Sequence, residues 1–169
     1  ERDAASQPLP VVLDSGIQLR GSIDLVEEKA GGQLRATDHK TGRALTVRNL
    51  RIKGGETLQP ALYALALEKL FPHAEVVGGR LHYCTTRGAF RARSVALDDA
   101  VRADIDELAQ TMDTFIEQAF LPALPASEKS CEWCDFRLVC GPDEFERTQA
   151  RKSAKLQGLV RLGAIRRKP

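Results

Sequence analysis

Two runs of alternating apolar and polar residues around a glycine pair constrain the fold of this chain more than any other feature. The first run extends from Gly16 to Glu28, and its apolar or small residues at every second position are Ile17, Leu19, Gly21, Ile23 and Leu25. This alternation predicts a strand with one buried face. Ala30-Gly31-Gly32 predicts a turn, and Gln33 to Lys40 predicts the returning strand. The chain is therefore expected to begin its sheet with this hairpin.

Helical spacing of apolar residues appears in two later segments. One helix is predicted from about Thr57 to Leu70, before Pro72, with its stripe at Leu58, Leu62, Leu65, Ala66 and Leu70. A longer helix is predicted from Asp98, and its core-facing stripe is Val101, Ile105, Leu108, Met112, Phe115 and Ile116.

A second pair of strands is predicted between these helices. Val76 to Thr85 and Ala89 to Val95 have strand-like patterns on either side of Arg87-Gly88. Helices and strands thus interleave, which predicts an α/β or α+β domain with a small mixed sheet flanked by helices.

The composition predicts a soluble, globular protein without a membrane partner. Of the 169 residues, 43% are hydrophobic and 28% are charged, which is typical of soluble domains. No run approaches the roughly 20 apolar residues that a membrane-spanning helix needs, and nothing resembles a signal peptide. A cytoplasmic location is the expectation. The chain begins at Glu1 without a methionine, so we expect it to be a piece of a longer protein.

Charge is distributed unevenly along the chain. Residues 151–169 carry seven of the 25 basic residues and none of the 23 acidic residues. Such a tail is able to contact a phosphate backbone. A solvated or disordered terminus is the alternative.

Asp24, Asp38 and Lys40 are the strongest candidates for chemistry. Residues two apart in a strand share a face, so Asp38 and Lys40 should project together while His39 points away. Asp24 precedes the turn and is expected on the neighbouring strand. Paired carboxylates of this kind bind Mg²⁺, and a nearby lysine suits phosphodiester hydrolysis. Solubilising charge on an edge strand is the alternative.

Basic residues also concentrate just after this hairpin. The stretch TGRALTVRNLRIKGG contains Arg43, Arg48, Arg51 and Lys53 and no acidic residue. Because the rest of the body is acidic, these residues are candidates for DNA phosphate contacts at the mouth of a site. Surface solubility is the alternative.

Three short motifs occur in order: Gly21-Ser22-Ile23-Asp24, Asp38-His39-Lys40-Thr41-Gly42 and Gln59-Pro60-Ala61-Leu62-Tyr63. They resemble the G-x-I-D, D-x-K-T-G and Q-x-x-x-Y motifs of RecB-type nucleases, which belong to the PD-(D/E)XK superfamily. The resemblance implies a restriction-endonuclease-like core that hydrolyses DNA with Mg²⁺ or Mn²⁺.

The same resemblance assigns roles to individual residues. It implies that Asp24 and Asp38 bind the metal, that Lys40 is catalytic, and that Gln59 and Tyr63 position DNA or the catalytic groups. Gln59 and Tyr63 are four residues apart, so one helix face presents both. Core packing is the alternative for Tyr63.

The four cysteines fall into two groups. Cys84 lies in a predicted strand and is expected to be a buried core thiol. Cys131, Cys134 and Cys140 form C-x2-C-x5-C after a segment with Pro122 and Pro125. Thiolates at this spacing bind zinc or an iron–sulfur cluster, usually with four ligands; free thiols are the alternative.

The segment FLPALPASEKSCEWCDFRLVCG resembles the end of AddB-type helicase–nuclease subunits and CRISPR adaptation nucleases. That resemblance implies a [4Fe–4S] cluster in the full-length protein with a fourth cysteine upstream of Glu1. The shorter chain can lack the cluster, hold it oxidised, or bind zinc instead.

These observations predict four regions. Residues 1–15 are a lead-in, residues 16–121 a nuclease core, residues 122–148 the cysteine segment and residues 149–169 a basic tail. The first motif of the family, a helix bearing His or Glu, has no counterpart before Gly16, where the only candidates are Glu1 and Asp14. We therefore expect weak or no DNA cleavage by this chain alone.

The predicted function is that of a metal-dependent DNA exonuclease domain within a repair or recombination helicase–nuclease, with a helicase domain or subunit as partner. A catalytically degenerate DNA-binding or scaffolding module of such a complex is the main alternative. A zinc-binding interaction domain would explain the cysteines but not the three ordered motifs.

Overall fold

The computed structural model describes residues 10–47, 50–150 and 157–169. The chain divides into two compact units. Residues up to Gln110, together with Ile165–Pro169, form the first unit, and Thr111–Ala164 form the second. The predicted region boundaries stay a prediction. None of the helices in the described ranges is long and apolar enough to cross a membrane.

A four-stranded mixed sheet organises the first unit. Its strands are β3 (Leu25–Glu28), β4 (Leu34–Lys40), β5 (Val76–Tyr83) and β6 (Ala92–Ala96), in the order β3-β4-β5-β6. The central pair, β4 and β5, is parallel, and both outer pairs are antiparallel. With helices packed on this sheet, the predicted fold class, a small mixed sheet flanked by helices, is confirmed.

The first predicted strand is interrupted. Its early part is β2 (Gln18–Leu19), which pairs with β1 (Val11–Val12) in a separate two-stranded sheet, and β3 begins only at Leu25. The prediction of one strand from Gly16 to Glu28 is therefore wrong. The Asp24 carboxylate accepts the His39 backbone N–H at 2.8 Å, in place of a main-chain carbonyl, so the ladder ends there.

The parallel pair is joined through α1 (Gln59–Leu70), which packs on the sheet. The residues of α1 that pack most closely are Ala61, Ala64 and Leu67, each at most 1% exposed. The predicted stripe residues Leu62 and Leu65 are only partly buried. Alanines line this face because their short side chains let the helix approach the strands.

Gly79 marks the closest approach between α1 and the sheet. A Cβ at Gly79 would lie 1.9 Å from the Pro60 carbonyl oxygen, so only glycine leaves room for the first turn of α1 above β5. This contact also sets the position of Gln59, the residue before Pro60.

The longer predicted helix is α2 (Asp99–Glu117). Val101 and Ile105 are 1% exposed and pack with Leu81 and Val95 in the core of the first unit. Within the second unit, Phe115 is buried and its ring contacts Phe120 edge-on, with centroids 5.1 Å apart.

Two residues of the predicted α2 stripe are not in the core. Met112 is 51% exposed and Ile116 is 66% exposed, so their prediction as core residues is wrong. Helical spacing predicts Met112 and Ile116 on the same stripe as Phe115, but of these three residues only Phe115 is buried in the second unit.

The second unit contains short helices around the cysteines. They are α3 (Glu128–Glu132), α4 (Arg137–Cys140) and α5 (Glu144–Ala150), followed by α6 (Gln157–Arg166), whose last two residues belong to the first unit.

The end of the chain is tied to the first unit. The Pro169 carbonyl oxygen accepts the backbone N–H groups of Arg51, Ile52 and Lys53 at 2.7–3.0 Å. Lys168 Nζ lies 2.5 Å from an Asp104 oxygen and 2.6 Å from a Glu107 oxygen. Lys168 is thus engaged in ion pairs rather than solvated, whereas Arg151, Lys152 and Lys155 of the predicted tail lie outside the described residues.

A polar network ties three strands together on the face of the sheet opposite α1. Glu27 of β3 accepts hydrogen bonds from Arg35 (3.1 Å) and Thr37 on β4, and from Arg80 on β5 (2.8 Å). Burial alone would raise the pKa of Glu27, but these hydrogen bonds and the arginine charges outweigh burial and hold that pKa below its ordinary value. The ionised carboxylate therefore stabilises the sheet.

We expect Gly79→Ala to lower the free energy of unfolding by about 1–3 kcal/mol, because the new methyl group would clash with α1. Denaturant unfolding followed by circular dichroism measures the change. Gly42→Ala is the matched control, since nothing lies within 4 Å of a Cβ there; its effect should stay within about 0.5 kcal/mol. Equal stability of the two variants would contradict the close approach.

We expect Glu27→Gln to reduce the pH dependence of stability in acid. The pKa of Glu27 is lower in the folded chain than in the unfolded one. Its stabilisation is therefore complete above the unfolded pKa and is lost as the pH falls from about 5 toward 3. Unfolding curves across that range test this, with Glu28→Gln on the same strand as control. A variant that keeps the full acid dependence would show that Glu27 does not contribute it.

Candidate active site

The carboxyl ends of β4 and β5, the start of β3 and the start of α1 meet at one edge of the sheet. Lys40 pairs with Tyr83 at the ends of the parallel strands, and β3 enters the sheet antiparallel to β4 just after Asp24. The residues predicted from sequence as a site therefore share this edge because of the topology, which is where open sheets of this kind bind ligands.

Asp38 and Lys40 project from the same side of β4, as strand geometry predicts. The Asp38 side chain is 6% exposed, and Lys40 Nζ lies 2.7 Å from its Oδ2 atom. A buried carboxylate is costly unless a charge compensates it, and Lys40 supplies that charge.

The Asp38 carboxylate is not fully satisfied by this ion pair. Its Oδ2 atom is buried and accepts no hydrogen bond from any residue in the described ranges. Lys40 Nζ is therefore close to Oδ2 but does not approach it along a hydrogen-bonding direction. A buried oxygen that lacks a hydrogen-bond donor is a fitting ligand for a hard cation such as Mg²⁺.

Asp24 lies at the start of β3, beside the peptide that joins Asp38 to His39. Its Oδ2 atom accepts the His39 N–H at 2.8 Å and lies 3.9 Å from His39 Nδ1. The side chain is 42% exposed. This hydrogen bond fixes one oxygen of Asp24 at the end of β4, on the solvent-accessible side of the edge.

Lys40, Gln59 and Tyr63 form a chain of polar contacts between β4 and α1. Lys40 Nζ donates to Gln59 Oε1 at 2.6 Å, and Gln59 Nε2 lies 3.4 Å from the Tyr63 hydroxyl. Because an ammonium group can only donate, it orients the Gln59 amide with its oxygen toward Lys40. The structure thus joins the D-x-K and Q-x-x-x-Y residues through Lys40.

A pocket of about 500 Å³ opens beside this chain. Lys40 and Gln59 form part of its polar wall, and Leu45, Leu62 and Leu81 form part of its apolar wall. Asp24 and Asp38 do not line this pocket.

Tyr83 is a pocket residue that was not among the site residues predicted from sequence. This residue is 4% exposed, lines the same pocket, and its hydroxyl oxygen accepts the Leu45 N–H at 3.3 Å. The signal available in the sequence was an aromatic residue near the end of the strand predicted from Val76 to Thr85. In the structure this strand pairs with β4, which carries Lys40.

In the described ranges, no group of three or more His, Cys, Asp or Glu side chains is placed to hold one metal ion. Asp24 and Asp38 supply two carboxylates at this edge.

The predicted phosphate-contacting residues have different surroundings. Arg43 is exposed. Arg51 Nε lies 3.2 Å from Asp104, and Lys53 Nζ lies 2.7 Å from Glu56. Arg48 lies outside the described residues. Contact of Arg51 or Lys53 with DNA would have to compete with these ion pairs, so their DNA-binding role stays a prediction.

Cys84 is exposed, so its prediction as a buried core thiol is wrong. It follows the last residue of β5, and its backbone N–H donates to the Lys40 carbonyl at 3.0 Å. The strand pattern continued through LHYCTT, but the ladder of β5 ends at Tyr83.

The other cysteines lie in the second unit. Cys131 is buried, Cys140 is half-buried and Cys134 is exposed. Burial raises the pKa of Cys131, and Glu144 and the other two thiols raise that pKa further. In the absence of a metal, Cys131 is therefore expected to remain a protonated thiol at neutral pH.

The chain matches a known protein family. The family model described as the PD-(D/E)XK nuclease superfamily matches residues 1–141. The search of curated proteins finds no match to the chain.

Proposed function

Because this chain belongs to the PD-(D/E)XK nuclease superfamily, we propose that Asp24, Asp38 and Lys40 form a Mg²⁺-dependent centre that hydrolyses DNA phosphodiester bonds. The observation that carries the proposal is the position of Lys40 Nζ, which lies 2.7 Å from Asp38 and 2.6 Å from Gln59. This arrangement connects the D-x-K motif on β4 with the Q-x-x-x-Y motif on α1.

Asp38 and Asp24 are the residues that would hold the ion. The buried Asp38 Oδ2 lacks a hydrogen-bond donor among the described residues, and the exposed Asp24 is fixed at the end of the same strand. When bound, Mg²⁺ neutralises phosphate charge and helps water to lose a proton. Mg²⁺ keeps several waters and takes its remaining ligands from phosphate, so two protein carboxylates are a sufficient start.

Lys40 would act on the reacting phosphate or the attacking water. Its ammonium is held in place by Asp38 and Gln59, so little ordering is needed when substrate binds. From there it is able to donate a hydrogen bond to a phosphate oxygen as negative charge develops there. The Asp38 carboxylate, 2.7 Å away, holds the ammonium in this position.

Gln59 and Tyr63 would position Lys40 rather than react. Gln59 accepts a hydrogen bond from the ammonium and lies close to the Tyr63 hydroxyl on the next turn of α1. α1 also begins at Gln59, so the positive end of its dipole lies beside Lys40 and favours an anionic substrate.

We further propose that the chain is a RecB-type domain of a DNA repair or recombination exonuclease that works with a helicase domain or subunit. The support is the order of the three motifs and the cysteine segment that follows them. A cytoplasmic location is part of this proposal.

We expect Asp38→Asn to weaken Mg²⁺ and Mn²⁺ binding at least tenfold, because it removes the charge of the buried ligand. Isothermal titration calorimetry measures the affinity without requiring turnover. Glu28→Gln, at the opposite end of the β3–β4 pair, is the matched control and should bind the metal as the unsubstituted chain does. Thermal unfolding of Asp38→Asn shows whether the sheet remains intact.

The same proteins are then incubated with linear DNA. Any Mg²⁺-dependent cleavage is expected to be slow and to disappear in Asp38→Asn and in Lys40→Met. Metal affinity that is equal in all variants would contradict the proposed centre. DNA that is bound but never cut with either metal would instead favour the catalytically degenerate module.

We also propose that Cys131, Cys134 and Cys140 bind a [4Fe–4S] cluster with a fourth cysteine upstream. Their C-x2-C-x5-C spacing supports this. The donor set fits the cluster, although the described residues do not gather three of these thiols into one metal site. Binding would therefore require this segment to close and the thiols to deprotonate.

Anaerobic purification of the full-length protein is expected to yield a brown protein that contains iron and acid-labile sulfide, and Cys131→Ser or Cys134→Ser should lose both. Cys84→Ser is the matched control. Zinc alone in the purified protein would contradict the iron–sulfur assignment. Loss of iron with Cys84→Ser would contradict the upstream position of the fourth ligand.

A further inference from the structure

The turn between β5 and β6 displays an aromatic side chain between two arginines. We call residues 84–91 the Phe90 turn. Phe90 is 63% exposed, and Arg87 and Arg91 are also exposed. In the described ranges, neither arginine has an ion pair, so both guanidinium groups are available to a ligand.

The backbone of the Phe90 turn is strained. Ala89 and Phe90 have φ angles of 53° and 52°, in the left-handed region that favours glycine and disfavours bulky side chains. Phe90 therefore adopts an unfavourable conformation and leaves most of its ring in water. Neither backbone preference nor burial accounts for a phenylalanine there, and such strain clusters at functional sites.

Local contacts hold the turn in this conformation. The Thr85 carbonyl accepts the N–H of Gly88 at 3.1 Å and that of Phe90 at 3.2 Å, and the Arg91 N–H donates to the Gly88 carbonyl at 3.2 Å. A Cβ at Gly88 would lie 2.5 Å from the Tyr83 Cβ, so the turn packs tightly on the end of β5. The ring of Phe90 is thus displayed from a rigid support.

The Phe90 turn is also bound to the end of the strand that carries the proposed centre. Cys84 N–H donates to the Lys40 carbonyl at 3.0 Å, and Thr85 Oγ1 donates to the Thr41 carbonyl at 3.0 Å. The turn therefore lies at the same edge of the sheet as Lys40.

The charge around the turn suits a polyanion. Residues 76–97 contain no Asp or Glu, and neither do residues 39–55, which follow β4 at the same edge and include the exposed Arg43. Two acid-free segments of the chain thus border the site, in a body that is otherwise rich in acidic residues.

We propose that the Phe90 turn binds single-stranded DNA, with Phe90 stacked on an unpaired base and Arg87 and Arg91 in contact with phosphates. An exposed ring on a basic support is the arrangement by which proteins bind unpaired bases. Bases in an intact duplex are stacked on one another and do not offer a free face. This inference rests on the proposed function and adds that the strand delivered to Lys40 is unpaired.

The test measures the affinity of the chain for a fluorescent single-stranded oligonucleotide by anisotropy, without divalent metal so that no hydrolysis occurs. We expect Phe90→Ala to weaken binding roughly tenfold or more, and Phe90→Trp to restore it. Arg87→Ala and Arg91→Ala should each lower the slope of log affinity against log salt by about 0.7.

An oligonucleotide with abasic positions separates stacking from charge. Phe90→Ala should not change the affinity for this strand, because there is no base to stack, whereas the arginine variants should still weaken it. Leu121→Ala is the matched control, since Leu121 is a 78% exposed hydrophobic residue in the second unit; it should leave both affinities unchanged.

Phe90→Gly distinguishes a loss of binding from a loss of stability. Glycine relaxes the left-handed backbone, so this variant should unfold at the same temperature as the unsubstituted chain or a higher one, yet bind the normal strand as weakly as Phe90→Ala.

Two results would overturn the inference: normal affinity of Phe90→Ala for the intact strand, or an equal loss of affinity for the intact strand, the abasic strand and a blunt duplex. The outcome is separable from that of the proposed function. If Phe90→Ala loses strand binding but no variant shows metal-dependent cleavage, the result supports strand binding by the Phe90 turn and contradicts the proposed nuclease. If metal-dependent cleavage occurs and Phe90→Ala does not change it, the result supports the nuclease and contradicts the role of the turn.

Discussion

The close packing of α1 on the parallel pair β4–β5 is the constraint on which the rest of the site depends. Two parallel neighbours require a crossover connection, and α1 provides it with its first turn directly above Gly79. The contact between Gly79 and the Pro60 carbonyl leaves no room for a side chain, so the start of the helix has one position over the sheet. Gln59 is thereby placed 2.6 Å from the Lys40 ammonium.

Charge is compensated on both faces of the sheet. On the α1 face, the buried Asp38 is compensated by Lys40, whose ammonium also contacts the helix. On the opposite face, Glu27 joins β3 to β4 and β5 through three donors. The first arrangement leaves an oxygen of Asp38 without a hydrogen bond from the described residues, whereas both oxygens of Glu27 are hydrogen-bonded. This difference supports a structural role for Glu27 and a ligand-binding role for Asp38.

Topology also explains why several separate segments reach one edge. β4 and β5 both end there, β3 and α1 both begin there, and the Phe90 turn joins the end of β5 to β6. Segments that lack acidic residues converge beside two carboxylates, which suits a site where a polyanion meets a cation. A nucleic-acid substrate, as superfamily membership implies, is consistent with this distribution of charge.

The sequence by itself determined most of the local elements and the superfamily. Alternation predicted β4, helical spacing before Pro72 predicted α1, and the ordered motifs pointed to Asp24, Asp38, Lys40, Gln59 and Tyr63. Local patterns report which conformation a segment prefers, but not what covers it. Tertiary structure alone decided that Asp24, just before β3, accepts a hydrogen bond from the His39 N–H, 15 residues away. It also decided that Lys40 reaches Gln59, 19 residues away. Tertiary structure also decided that Cys84 and Met112 lie exposed to solvent, and that Thr85 hydrogen-bonds Thr41, 44 residues away. Strand pairing and helix packing determine which distant residues meet and which side chains are covered. A local sequence pattern contains no information about either.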